Sequence, residues 1–240
     1  MLSPFFPRVR RRSRVAGQGY CPPNTATLEP EASSNSPRRR QLLALGGWPF
    51  QIKPADVDET PLPGEPAAAY VLRLAESKAR VAAGAGVGRV VLAADTTVVD
   101  AGSILGKPRH AGEAREMLLC LRGRTHQVLT ALAILHPASG RLLTDVCETE
   151  VPMRLYSESE IDMYVASGDP LDKAGAYAIQ HAGFHPVEKL AGCYANVVGL
   201  PLCHLERMLR RLGLPAQGAL PQACQAALGY QCPVYEQILA

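Results

Sequence analysis

Residues Val90 to Val99 read Val-Val-Leu-Ala-Ala-Asp-Thr-Thr-Val-Val, a β-branched run with few breaks and one acid inside it. Such a run makes a buried strand. Thr125 to Leu135 has the same character and ends at His136-Pro137. Thr144 to Met153 alternates and reads as a third strand. Helix signals surround these runs. Residues 67–83 follow Pro66, and Glu113 to Leu121 reads as another helix. Ser157 caps a helix through Val165, with Glu160 at its third position as in a capping box. Val197-Val198 precede Gly199 and Pro201, and a last helix runs to Arg211. Strands and helices in this order define an α/β domain with a central sheet.

Composition narrows the function classes. The chain has 240 residues, enough for one α/β domain or two small lobes, and 47% of them are hydrophobic, enough for a sizeable core. Net charge is only +3. The basic residues form no stripe through the body, which argues against a nucleic-acid binder. The seven cysteines include no C-x-x-C pair. They read as scattered reduced thiols of a cytoplasmic protein, with no zinc spacing. No apolar run is long enough to cross a bilayer.

Three segments follow. Residues 1–33 carry Arg8, Arg10, Arg11, Arg12 and Arg14, with the first acid at Glu29 and breaks at Pro4, Pro7, Pro22 and Pro23. They are expected to be a disordered basic leader. An organelle transit peptide or an overlong translation start would carry the same bias, and the sequence leaves these open. Residues 34–212 form the ordered body. Residues 213–240, with their Gly, Pro and Gln, are expected to be a peripheral extension.

Within the body, Ser36 is a natural N-cap and Pro37 suits the first helical position. Leu42, Leu43 and Leu45 give an apolar side, and Gly46-Gly47 a stop. Arg38, Arg39 and Arg40 therefore occupy the first turn, where the helix dipole favours acids. The arrangement makes sense if an anion sits there, since free N–H groups and arginine forks bind phosphate. The bland alternative is a basic solvated helix start.

Other positions carry chemistry only in company. Asp95 breaks the first buried run, where an acid can bind a cation or orient a water; alone it would be a strand-end acid. Lys78 shares a helix face with Val71 and Leu74, so it either snorkels or reaches an anion at the core edge. Lys107 is held between Gly106 and Pro108. Asp56, Asp58 and Glu59 crowd one loop, which is solvated or metal-bridged. Ala174-Gly175-Ala176 is small enough for close approach of backbone to a ligand, and Gln180 offers the donor and acceptor that read a base edge. Gly84, Gly86 and Gly88 precede a strand rather than follow one, so they are no dinucleotide fingerprint, and no P-loop occurs. The six histidines show no metal spacing beyond His181 and His185, and Gly183 with Pro186 argues against a helix there.

Taken in order, SNSPRRRQLL (34–43), DVDET (56–60), YVLRLAESKA (70–79), AADTTV (93–98), ILGKP (104–108), GRTHQVLTALA (123–133), EIDMYVASGDPLDKAGAYAIQ (160–180) and NVVGLPL (196–202) resemble the Maf family of nucleotide pyrophosphatases. Each piece is weak, but the ordered set is specific. The resemblance implies a two-lobed α/β fold, ITPase-like, with an elongated mixed sheet and a cleft between lobes. It implies hydrolysis of nucleoside triphosphates to monophosphate and diphosphate with Mg2+ or Mn2+, as nucleotide-pool house-cleaning, by a cytoplasmic protein that either stays single or forms a homodimer. It makes Asp95 the proton acceptor, Ser36, Arg39, Lys78 and Lys107 the phosphate ligands, and Glu59 a metal ligand beside Asp95. Arg38, Thr96 and Gln180 fall on the base-selecting positions, and Asp95-Thr96, PLDKAGAY and Ile179-Gln180 resemble the branch that prefers dTTP and UTP. The alternative is a nucleotide-binding regulator of septum formation or cell division with weakened catalysis.

One departure favours that alternative. The family has an apolar first strand before the Ser-x-Ser-Pro-Arg-Arg motif, whereas Thr27 to Ser33 here includes Pro30, Glu29 and Glu31. Reduced stability or activity is expected relative to a chain with that strand restored, measured as melting temperature and turnover.

Overall fold

The computed structural model describes residues 31–32, 36–84, 89–137 and 139–240. The apolar run lies inside the sheet as β3 (Val91–Asp100). Successive side chains of a strand face opposite ways. Val91 and Ala93 pack with α2 (Ala67–Ala83), and Leu92 and Ala94 join the core on the opposite face. β3 pairs antiparallel with β5 (Thr125–His136), and β5 with β6 (Arg141–Pro152). A short β4 (Ser103–Leu105) folds back on the end of β3. On the other side lie β1 (Glu31–Ala32) and β2 (Gln51–Ile52), both parallel, so the order is β2-β1-β3-β5-β6. The sheet is mixed.

The helices match their sequence signals. α2 buries Tyr70, Val71, Leu74, Ala75, Ala79 and Ala82 along one stripe. α1 (Pro37–Ala44) starts at the Ser36 cap, whose Oγ accepts from Arg39 N at 3.4 Å, with no acid in its first turn. α3 (Ala111–Leu121) begins earlier than its apolar pattern because the His110 ring accepts from Glu113 N. α4 (Glu158–Ala166) carries the full capping box: Glu160 N donates to Ser157 Oγ at 3.3 Å, and Ser157 N to Glu160 Oε2 at 2.7 Å. α5 (Tyr194–Val198) and α6 (Leu202–Arg210) bracket the turn at Gly199.

Two expectations need correction. The residues before Ser36 read as unfit for a central strand, yet Glu31 and Ala32 pair between β2 and β3. Ladder pairing uses main-chain groups, so a polar sequence can supply it over a short span. Of residues 1–33, read as the leader, residues 1–30 and 33 lie outside the described residues. The extension after Leu212 forms α7 (Leu220–Leu228) and α8 (Tyr235–Leu239). α7 buries Leu220 and Cys224 in the same cluster as Leu202, Leu205 and Met208 of α6. Trp48 joins in, its Nε1 donating to Leu214 O at 3.3 Å and Pro215 O at 3.2 Å. The extension therefore covers part of the core.

Candidate active site

Strand alternation builds the site. Asp95 follows Val91 and Ala93 onto the α2 face, and Lys78 of α2 stands over it. Lys78 Nζ lies 2.6 Å from Asp95 Oδ1 and 2.6 Å from Glu59 Oε1. Its side chain is 11% exposed and that of Asp95 10%. The lysine in the apolar stripe is thus an ion-paired group rather than a snorkelling one. A charge so buried needs its partner, because an isolated one is costly.

Glu59 is delivered by a loop fastened to α2. Tyr70 Oη donates to Glu59 O at 2.8 Å, and Arg73 Nη2 donates to Thr60 O at 3.1 Å. Arg73 also holds Glu65 with two bonds of 2.7 Å, which keep the Glu65 carboxyl down at about 2. The crowding expected among Asp56, Asp58 and Glu59 is relieved locally. Asp58 Oδ1 accepts from Thr60 N at 2.9 Å and closes an Asx turn, leaving Glu59 alone of the three in the cleft. Burial disfavours the Glu59 charge. The bond from Lys78 and the nearby charges of Lys78, Lys107 and Arg39 outweigh it and hold the carboxyl below its usual range.

Thr96 points to the opposite face, where α1 supplies Arg39. Arg39 donates from Nη2 to Thr96 Oγ1 at 2.8 Å, from Nη1 to Ala94 O at 2.9 Å and from Nε to Gly199 O at 2.8 Å. Burial lowers the pKa of this guanidinium against the opposing pull of Asp95. Three of its donors are committed to the protein's own oxygens. Arg38 and Lys107 also line the cleft, and among the described residues no side-chain hydrogen bond or ion pair ties either down.

The Gln180 loop is bracketed from both ends. Tyr164 Oη donates to Asp169 Oδ2 at 2.8 Å and accepts from Ala178 N at 3.0 Å. Gly175 N donates to Gly106 O at 3.1 Å, which joins this loop to the one bearing Lys107. Gly175 has φ +70°, and a Cβ there would come within 3.0 Å of Val98 Cγ2. The small residues expected to admit a ligand therefore admit Val98. Lys173, 6% exposed, bonds Asp169 and Asp172 and fastens its own turn.

All nine sequence candidates, Ser36, Arg38, Arg39, Glu59, Lys78, Asp95, Thr96, Lys107 and Gln180, line one open cleft of about 760 Å³. Sequence reasoning missed Tyr70, Lys173 and Thr130. Tyr70 reads as an ordinary stripe residue. Thr130 touches Thr96 only because β5 pairs with β3 in that register. Among the described residues no group of three or more His, Cys, Asp or Glu can hold a metal ion. Glu59 and Asp95 meet on one ammonium. Two carboxylates suit a cation such as Mg2+ that takes its remaining oxygens from phosphate and water.

An α/β protein with a cation-rich cleft over a buried acid is an anion-handling enzyme in outline, and comparison with known proteins makes the class specific. The family model described as Maf-like protein matches residues 32–212. A dTTP/UTP pyrophosphatase of Anaeromyxobacter dehalogenans (strain 2CP-1 / ATCC BAA-258) is 52% identical over 185 residues, covering 76% of this chain and 93% of that protein. Proteins of the same name from Myxococcus xanthus (strain DK1622) and Thermomicrobium roseum (strain ATCC 27502 / DSM 5159 / P-2) are 51% and 46% identical. They cover 76% and 84% of this chain, and 92% of their own length in each case. The chain belongs to the Maf family. It is a hydrolase of the nucleoside triphosphate pyrophosphatase class.

Proposed function

We propose that this chain cleaves the α–β anhydride of dTTP and UTP, giving the nucleoside monophosphate and diphosphate, and that Asp95 accepts the proton of the attacking water. The observation that carries this reading is Asp95 itself. It is a buried acid on the cleft wall, bonded to Lys78, with uncommitted Arg38 and Lys107 on the same cleft.

A triphosphate brings several negative charges. Arg38, Lys107 and the N-terminus of α1 at Ser36 receive them, and these fixed groups stabilise the charge that grows on the departing diphosphate. Lys78 orients Asp95 through their 2.6 Å ion pair, and the carboxylate takes a proton from water as the new P–O bond forms. Arg39, with three donors spent on Ala94, Thr96 and Gly199, holds the wall more than it grips phosphate. Glu59 and Asp95 would hold Mg2+ or Mn2+ together with phosphate oxygens, and the ion would neutralise charge on the transferred group. Gln180, on its bracketed loop, faces the base with a donor and an acceptor.

The test is diphosphate release from a panel of nucleotides with Mg2+ or Mn2+. Wild type is expected to prefer dTTP and UTP. Asp95→Asn should lose on the order of 10²–10⁴ in kcat while still binding nucleotide by calorimetry. A folded wild-type chain that releases diphosphate from no nucleotide would sink the reading.

A further inference from the structure

Beneath Arg39 the hydrogen bonds close into a ring. Arg39 Nη2 donates to Thr96 Oγ1 at 2.8 Å, and Thr96 Oγ1 lies 2.9 Å from Thr130 Oγ1. Thr130 Oγ1 donates to Asn196 O at 3.1 Å. The same carbonyl accepts from Gly199 N at 2.9 Å, and Gly199 O accepts from Arg39 Nε at 2.8 Å. Four pieces of the chain meet here: α1, β3, β5 and the stretch from α5 into the turn after it.

The proton directions follow from chemistry. Guanidinium only donates, and a main-chain carbonyl only accepts. Each hydroxyl has one proton. Thr130 gives its proton to the Asn196 carbonyl, so it must accept from Thr96, which in turn accepts from Arg39. Every bond then has one donor and one acceptor. The chain runs one way, from a half-buried cation to a main-chain oxygen, and such chains strengthen bond by bond. Two consequences follow. The Thr96 proton is spent inside the protein, so toward the cleft Thr96 offers only a lone pair. And Arg39 holds β3 through Ala94 O and Thr96 Oγ1, on either side of Asp95.

We propose that Thr130 is a positioning residue, closing a hydrogen-bonded ring that fixes Arg39 and, through it, the β3 segment carrying Asp95. Thr130 is fully buried and does not line the cleft, so it acts only through others. Its partner carbonyl keeps the Gly199 N–H when the hydroxyl is removed, so loss of the ring leaves no unpaired oxygen there. Gly199 is part of the device. It has φ +111°, and a Cβ at that point would sit 3.2 Å from both Arg39 Nε and Thr96 Oγ1.

The catalytic part of this inference rests on the hydrolase reading above, so its test has one readout that does not. Full-length wild type, Thr130→Val and Thr130→Ser are compared. Valine keeps the shape and removes the hydroxyl, and serine keeps the hydroxyl. The first readout is water exchange of the Arg39 Nε–H by NMR without nucleotide. It should quicken by about fivefold or more in the valine variant and return to the wild-type rate in the serine variant. The second is dTTP turnover, where valine should cost about tenfold in kcat with little change in KM, and serine should recover it. Equal Arg39 exchange in all three proteins overturns the ring. Changed exchange with an unchanged kcat in the valine variant of an active enzyme overturns its catalytic role. An inactive wild type overturns the hydrolase reading and the catalytic role with it, and the exchange data still decide the ring.

Discussion

Lys78 shows what a single anomalous residue is worth. In the sequence it is a cation in an apolar stripe. In the fold it is the shared partner of Glu59 and Asp95, each at 2.6 Å. Removing it strands a buried carboxylate, and breaking such a pair costs about 3–5 kcal/mol. Lys78→Met should therefore lower the unfolding free energy measured by urea denaturation by that amount at neutral pH. Adding Glu59→Gln removes the half-exposed carboxylate that would otherwise repel Asp95 and should return part of the loss. If the double variant is no more stable than the single one, the two carboxylates do not share the lysine. A second single-residue effect lies in the Glu59 loop. Tyr70→Phe deletes the bond to Glu59 O and leaves that carbonyl to the solvent at a cost of about 1 kcal/mol. The expected result is a raised requirement for Mg2+ in turnover with a nearly unchanged melting temperature. An unaltered metal titration would refute the idea that this bond aims Glu59.

The elements differ in how well their residues announce them. Stripe and alternation are local, so α2, β3, β5 and the capping box of α4 are visible in the sequence. What sits outside local pattern is not. β1 has two residues and its pairing is to main chain, so no side chain marks it. α7 and α8 hide in a stretch of Gly, Pro and Gln because a few positions, Leu220 and Cys224 foremost, make the packing. The same division holds in the cleft. Residues with unusual charge for their place, Arg38, Lys78 and Asp95, are found from sequence. The hydroxyls behind them depend on register between strands, which sequence pattern does not specify. The covered α6 face supplies a test. Leu220 is 1% exposed, and Leu220→Ala should cost about 2–5 kcal/mol, as large-to-small changes in a core do. A truly peripheral extension would show a change in melting temperature within error.

For the molecule as a whole, acid is the informative perturbation, because one buried group separates two windows of pH. His126 of β5 is 2% exposed, and its Nε2 meets Tyr177 Oη at 2.8 Å while Nδ1 is buried with no hydrogen-bond partner among the described residues. Burial lowers its pKa from 6.5 to about 4. Between these values the unfolded chain binds a proton that the folded chain refuses, so stability falls as pH drops through this window and levels off near 4. The span corresponds to about 3 kcal/mol, an order-of-magnitude figure. Asp145 acts in the other window. Burial opposes its charge, but the bonds from His204 and Arg207 prevail and hold it at about 2, below the ordinary 3.8. Its contribution is present above 3.8 and is lost only as pH falls toward 2. Urea unfolding from pH 7 to 4 should therefore show a steady decline in wild type. His126→Gln should flatten that decline, since its amide takes no proton, while leaving the steeper loss below pH 4 in place. An equal slope in both proteins would place the acid sensitivity elsewhere. The effect reaches the cleft because Tyr177, the partner of His126, lines the same wall as Gln180 and Lys107. The folded chain takes up that proton only near pH 4, so nucleotide affinity in wild type is expected to hold through the window above it and to weaken only as pH approaches 4, less so in His126→Gln.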